Sequence, residues 1–200
     1  MSIRVSLRRA ALAALMAAPV AVMAHPGHEH AAAITGTAAS LASGLLHPPT
    51  GLDHLFAMVV LGVWSAMTAR RVWLAPLSFA TVLLLGALLG LGGIALPAIE
   101  PMIAASLLVL GLMTATRARL PEVAGAMVAA VFALFHGAAH GGELPLGASA
   151  MPYVAGFMLA TVALHCVGIA GGLALRNTQA WAARVLGGGV ALYGAALLAS

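Results

Sequence analysis

The chain has 200 residues, of which 62% are hydrophobic and only 7% are charged. A soluble domain usually carries about 25% charged residues, so the composition excludes an ordinary soluble protein and predicts one membrane domain. Lysine is absent, and three of the nine arginines lie in the first ten residues; without them the formal charge falls from +4 to +1. No basic patch then remains for phosphate groups, which excludes nucleic acid as a partner.

The first 24 residues are typical of a secretory signal peptide. Arg4, Arg8 and Arg9 precede an apolar stretch, and Ala24 ends a Val-Met-Ala sequence that suits cleavage. An uncleaved anchor is the alternative, although the apolar stretch is short for a membrane span. We expect an exported N-terminus.

A histidine-rich tail follows over residues 25–33 and contains His25, His28 and His30. Three imidazoles within six residues, made flexible by proline and glycine, could capture a divalent metal ion. A solvated polar tail without a ligand is the alternative.

The small, apolar residues 31–46 predict a short helix, which should break at the sequence His47-Pro48-Pro49-Thr50-Gly51 because proline cannot continue a helix. Thr50 is then a plausible N-cap for the next helix, a membrane span that opens with Asp53 and His54. A carboxylate inside lipid is costly, so an intramembrane Asp indicates a functional site.

Six apolar segments are each near the ~20 residues needed to cross hydrocarbon. We therefore predict an all-α fold, a polytopic bundle of six transmembrane helices within a transport domain at residues 34–200. The spans are expected at residues 51–69, 74–95, 99–116, 122–141, 152–175 and 181–199.

Beyond the first ten residues, the arginines fall in alternate loops, after the first, third and fifth spans. The positive-inside rule assigns such loops to the cytoplasm. This predicts a multi-pass protein of the bacterial inner (cytoplasmic) membrane with both mature termini in the periplasm. The loop arginines are Arg70, Arg71, Arg117, Arg119, Arg176 and Arg184.

The fourth span ends in a polar stretch, Phe135-His136-Gly-Ala-Ala-His140-Gly-Gly-Glu143. On a helix, His136, His140 and Glu143 share one face because they are four and three residues apart. Imidazole and carboxylate on one stripe make a set of metal ligands, and the intervening glycines would let a helix or an ion approach closely. Hydrogen-bonded polar residues at a membrane interface are the alternative.

The predicted topology brings two polar clusters to one side of the membrane. His47, Asp53 and His54 lie at the outer end of the first span, and the His136–Glu143 cluster lies at the outer end of the fourth. Their ligand types suit Ni, Co, Zn, Mn or Fe. We predict a shared metal site.

His165 and Cys166 lie deeper, in the fifth span. His165 is about 20 Å along its helix at 1.5 Å per residue, where an ionisable residue usually marks an ion or proton path. The alternatives are a histidine bonded to a neighbouring carbonyl and a cysteine that only packs.

The sequence His47-Pro-Pro-Thr-Gly-Leu-Asp53-His54 resembles the His-Pro-x-x-Gly-x-Asp-His motif of the HupE/UreJ family of hydrogenase and urease accessory proteins. The His136–Glu143 stretch is similar to that family's second motif, Phe-His-Gly-x-Ala-His-Gly-x-Glu. The resemblance covers almost all of the chain after the signal peptide, and it implies a nickel permease. The metal residues that it implies are His47, Asp53, His54, His136, His140 and Glu143; the N-terminal histidines, His165 and Cys166 lie outside both motifs.

We therefore predict a non-enzymatic importer of divalent transition metal, with Ni²⁺ as the leading cargo and Co²⁺ or another divalent metal as alternatives. It would supply the maturation of metalloenzymes such as hydrogenase or urease. No permanently bound cofactor is expected; the predicted partners are the lipid bilayer and the metal ion, and a homo-oligomer is compatible with the sequence. The alternative function is a membrane haem protein with histidine axial ligands. An intramembrane metallohydrolase is disfavoured because the His-Glu-x-x-His order is absent.

Overall fold

The computed structural model of the chain describes residues 35–176 and 181–200. The proposed signal peptide and the tail with His25, His28 and His30 lie outside these residues. Within the described part the regular secondary structure is entirely helical and consists of seven helices. They are α1 (Thr37–Thr50), α2 (Leu52–Thr68), α3 (Leu74–Leu91), α4 (Ile99–Thr116), α5 (Glu122–Gly142), α6 (Ala150–Leu175) and α7 (Trp181–Ala199).

Five of these helices, α3 to α7, are long and apolar enough to cross a membrane. A sixth crossing is formed if α1 and α2, which meet at a bend of 75°, are counted as one broken span. The prediction of an all-α membrane bundle is confirmed. The second span is shorter than predicted, since α3 ends at Leu91 and Gly93 turns the chain with a φ of 75°.

The break between α1 and α2 differs from the sequence prediction. Helix α1 continues through Pro48 and Pro49 and ends at Thr50. Each proline lacks the N–H that would bond the carbonyl oxygen four residues earlier, so the last turn is weakened and the helix ends directly after them. The hydroxyl of Thr50 turns back onto the carbonyl oxygens of Leu46 and His47, at 3.0 and 2.9 Å. Thr50 is therefore not the N-cap of α2; Gly51 holds that position.

The helices pack mainly as pairs: α3 against α5, α4 against α7, and α6 against both α1 and α2. Glycines make these contacts close. A methyl group added at Gly137 would collide with the carbonyl oxygen of Leu83, and one at Gly86 with that of Leu134. Gly86, Gly90, Gly168 and Gly172 each face the backbone of a neighbouring helix. This close contact between backbones fixes the positions of the helix ends relative to one another.

The bundle has two chemically different ends. The histidine end contains the start of α2 and the end of α5, with His54 and His140. The arginine end contains the opposite termini of these helices. There Glu122 accepts hydrogen bonds from the backbone N–H groups of Arg70 and Arg71, at 3.1 and 2.9 Å. Arg117 donates to the carbonyl of Leu175 at 3.3 Å, which ties α4 to α6.

Candidate metal centre

Three helix termini bring the two sequence motifs together at the histidine end. His47 lies in the last turn of α1, His54 in the first turn of α2, and His136 and His140 near the end of α5. The rings form one contiguous cluster, with centroid distances of 4.3 Å for His54–His140, 4.8 Å for His54–His136 and 4.8 Å for His47–His140. The structure therefore places the two motifs side by side. Their role as metal ligands remains a prediction.

The outer part of the cluster is a triad of His47, His140 and Glu143 whose possible ligand atoms all lie within 4.8 Å of one another. His47 Nε2 is 3.0 Å from Glu143 Oε2. Two ligands at 2.0–2.1 Å from one ion are about 4.2 Å apart when they lie opposite each other and about 3.4 Å apart in a tetrahedron, so the widest pair of the triad has to close by roughly 0.6–1.4 Å. The side chains of His47 and Glu143 are 29% and 42% exposed, whereas His140 is fully buried. The triad is thus open on one side.

Asp53 orients His54. Its Oδ1 accepts the backbone N–H of His54 at 2.9 Å and lies 2.9 Å from Nδ1 of the same residue. A carboxylate can only accept, so Nδ1 carries the proton and Nε2 keeps a lone pair. Carboxylates commonly orient metal-binding histidines in this way. Asp53 therefore sets the tautomer of His54. Its predicted role as a metal ligand stays a prediction.

Ser106, on α4, holds His136 in a similar manner. Its hydroxyl donates to the carbonyl of Ile103 at 2.6 Å, and its oxygen lies 2.9 Å from His136 Nε2. Since its only proton is used on Ile103, Ser106 accepts from Nε2–H, and His136 Nδ1 keeps its lone pair. Sequence reasoning missed Ser106, because nothing in the sequence of α4 marks this serine.

The buried histidines leave several nitrogen atoms without partners. His54 Nε2, His136 Nδ1 and both ring nitrogens of His140 are buried and make no hydrogen bond. An unsatisfied buried polar atom costs about 1–3 kcal/mol, and native structures contain few of them. Because the rings of His136 and His140 both contact that of His54, these nitrogen lone pairs lie close together. The lone pair of a neutral imidazole nitrogen is the group with which histidine binds a metal ion.

Aromatic rings enclose the cluster. Phe157 stacks on His140, with centroids 5.2 Å apart and planes 20° apart, and Tyr153 lies 6.1 Å from His47. On the inner side, the ring of Phe79 is 5.6 Å from that of His136. The imidazoles contact each other and these rings directly, with no flat slot for a porphyrin among the described residues. The haem alternative is not favoured.

The two deeper candidate residues, His165 and Cys166, differ in burial. His165 is buried, with 1% of its surface exposed. Cys166 is exposed, because successive residues point about 100° apart on a helix and cannot share a face. The structure therefore places Cys166 apart from the buried face that carries His165, and a part for Cys166 in an ion path stays a prediction. The four-residue spacing of Tyr153, Phe157, Thr161 and His165 is the signal in the sequence that marks the buried face of α6.

The fold and this site define a class of protein: a multi-span helical membrane protein with a buried cluster of histidine and carboxylate side chains. The sequence profile of the HupE / UreJ protein family matches residues 12–197. The chain is also 47% identical over 183 residues to Protein HupE of Rhizobium leguminosarum bv. viciae, covering 90% of this chain and 94% of that protein. The chain therefore belongs to the HupE/UreJ family, whose members are hydrogenase and urease accessory proteins rather than a known enzyme family. No solved structure matches it significantly.

Proposed function

We propose that the chain imports divalent transition-metal ions, with Ni²⁺ as the leading cargo, across the bacterial inner membrane for the maturation of metalloenzymes such as hydrogenase or urease. The observation that carries the proposal is the group of partnerless imidazole nitrogens on His54, His136 and His140. Neutral imidazole with a nearby carboxylate suits Ni²⁺ and Co²⁺ and excludes neither Zn²⁺ nor Fe²⁺. Family membership supports nickel first.

The entry side follows from exposure and charge. Glu143 and His47 are the exposed members of the cluster, so a hydrated cation meets them before it meets the buried His54 and His136. The arginines Arg70, Arg71 and Arg117 lie at the opposite end, which the positive-inside rule assigns to the cytoplasm. Import from the periplasm is the direction that agrees with both observations.

One further part of the proposal concerns histidines that lie outside the described residues. His25, His28 and His30 would raise the local concentration of metal near the entrance without forming part of the core site.

The sequence has no lysine and so no phosphate-binding Gly-x-x-x-x-Gly-Lys loop. We therefore propose that a gradient, or trapping of metal inside the cell, drives transport unless a separate ATPase partner exists.

The test is metal accumulation in cells that lack the gene, or carry it as wild type or as His140→Ala. Cells are supplied separately with Ni, Co, Zn, Mn and Fe at limiting concentrations. We expect the wild type to raise cellular nickel and His140→Ala, at equal membrane protein levels, to return it to the level of the deletion. If no metal distinguishes wild type from deletion, the proposed function is wrong.

A further inference from the structure

Helix α6 presents a buried stripe of residues that belong to neither motif. Tyr153, Phe157, Thr161 and His165 recur every four residues, and each is at most 1% exposed. The first two accompany the motif histidines, Tyr153 beside His47 and Phe157 stacked on His140. Since a helix advances about 6 Å in four residues, Thr161 and His165 continue the same line toward the arginine end.

Thr161 and His165 carry buried polar atoms without partners. Thr161 Oγ1 and His165 Nε2 make no hydrogen bond within the described part of the chain. His165 lies one turn after Thr161 on α6, so the two side chains are neighbours on one face of the helix. A neutral imidazole whose Nδ1 carries the proton keeps a lone pair on Nε2. Two buried polar atoms without partners on one face of a helix are unfavourable, and packing alone does not explain why both are there.

Phe79 connects this region to the motif site. Its ring centroid is 5.6 Å from His136 and 5.4 Å from His165. Gly62 packs against the backbone of His165, whose carbonyl oxygen would lie 2.7 Å from a methyl group added at that glycine. Because Gly62 follows His54 by eight residues on α2, His165 is about 12 Å further along the bundle. The ring of Phe79 therefore lies close both to the motif histidine His136 and to the deeper histidine His165.

We propose that Thr161 and His165 form a second, inner station for a divalent transition cation that has passed the motif site. His165 Nε2 supplies a nitrogen ligand, Thr161 Oγ1 an oxygen ligand, and retained waters complete the coordination. The face of Phe79 attracts the cation between the two stations through its ring quadrupole. This inference rests on the proposed function, whose cargo is the same ion.

A thiol placed at the station reports on it spectroscopically. Cys166 is the chain's only cysteine, so Cys166→Ala gives a cysteine-free background in which His165→Cys or Thr161→Cys carries a single thiol. We expect purified protein of either kind to show the ultraviolet charge-transfer band of a cadmium thiolate when Cd²⁺ is added, and Ni²⁺ to reduce it competitively. Wild-type protein, whose Cys166 is exposed on another face of α6, is the matched control and should show no such band.

Transport and affinity provide the second readout. His165→Ala and Thr161→Val should lower the maximal rate of nickel uptake, His165→Ala at least tenfold, while Ni²⁺ affinity at the motif site in purified protein changes less than twofold. Cys166→Ala should match wild type in both. A full uptake rate in His165→Ala, or no cadmium band in a folded cysteine variant, would overturn the inference. If His165→Cys does not accumulate, Thr161→Cys carries the same measurement. Failure of wild type to take up nickel would refute the proposed function, whereas the cadmium band tests the inner station directly.

Discussion

Nε2 of His47 lies 3.0 Å from Oε2 of Glu143, although 96 positions separate the two residues in the chain. His47 lies in the last turn of α1, and Glu143 directly follows α5. The contact therefore joins the first motif to the second. Both side chains are partly exposed, which makes the pair the entrance of the buried cluster. A cation that replaces the shared proton would find a nitrogen and an oxygen ligand already facing each other.

This pairing predicts that the two motifs act as one unit. His47→Ala and Glu143→Ala should each reduce nickel uptake at least tenfold, and the double variant should be little worse, since residues that share one ion are not additive. The measurement is initial uptake over a range of nickel concentrations at matched protein levels. Leu46→Ala, which alters an exposed neighbour of His47, is the control. Losses that simply multiply in the double variant would place the two residues in separate sites.

Asp53 offers a way to distinguish a ligand from an orienting residue. Asp53→Asn keeps an oxygen that can accept Nδ1–H of His54, whereas Asp53→Ala removes it. We expect Asp53→Asn to retain most of the uptake rate and Asp53→Ala to lose about tenfold to a hundredfold in metal affinity, as for other partners of ligating histidines. Titration of purified protein with Ni²⁺ measures the affinity. Equal and complete loss in both variants would mean that Asp53 binds the ion directly.

Ser106 is expected to matter through His136. Ser106→Ala removes the acceptor of Nε2–H, so the ring is free to change its tautomer, and metal affinity should fall by about tenfold or more. Ser106→Cys, which keeps a weak acceptor, should recover part of it. The control is Ser78→Ala, since Ser78 bonds the carbonyl of Ala126 and no histidine. Similar effects of the two alanine variants on nickel affinity would leave the tautomer argument without support.

Neighbouring glycines provide a matched test of helix packing. Gly141 faces the carbonyl oxygen of Ala87 on α3, whereas a methyl group at Gly142 would meet nothing within 4 Å. Gly141→Ala should destabilise the fold by about 1–3 kcal/mol, and Gly142→Ala should leave stability nearly unchanged. Thermal unfolding in detergent compares the two variants. Equal midpoints would show that α3 and α5 do not pack this closely.

The orientation of the bundle is testable with reporter fusions. Fusions at Arg71, Arg117 and Arg184 should report the cytoplasm, and fusions at Glu100 and Gly147 the periplasm, as the arginine distribution predicts. Gly147 is decisive because it follows Glu143 closely. A cytoplasmic signal from that position would reverse the direction of transport that we propose.

The position of most site residues could be predicted because the sequence indicates both the helical periodicity and the direction in which each span runs. The spacing of His136 and His140 sets their common face, and alternating spans bring that face to the same end as His54. The rotation of α4 could not be predicted, because the helix is apolar around most of its circumference and has no polar face to orient it. The contact of Ser106 with His136 depends on that rotation. The hydrogen bonds of Asp53 to His54 also exist only in three dimensions, so the sequence shows the carboxylate but not the orientation that it imposes on the neighbouring ring.

The bend at Gly51 has a consequence for the dimensions of the metal centre. His47 precedes this residue, and Asp53 and His54 follow it, so one motif is shared between two rigid helices set at 75°. The distance between His47 and His54 therefore depends on the backbone dihedrals of one residue that has no side chain. A small rotation there would change the spacing of the imidazoles while leaving both helices intact. The ionic radius that the proposed metal centre accepts would therefore depend on a backbone angle as well as on the choice of ligands.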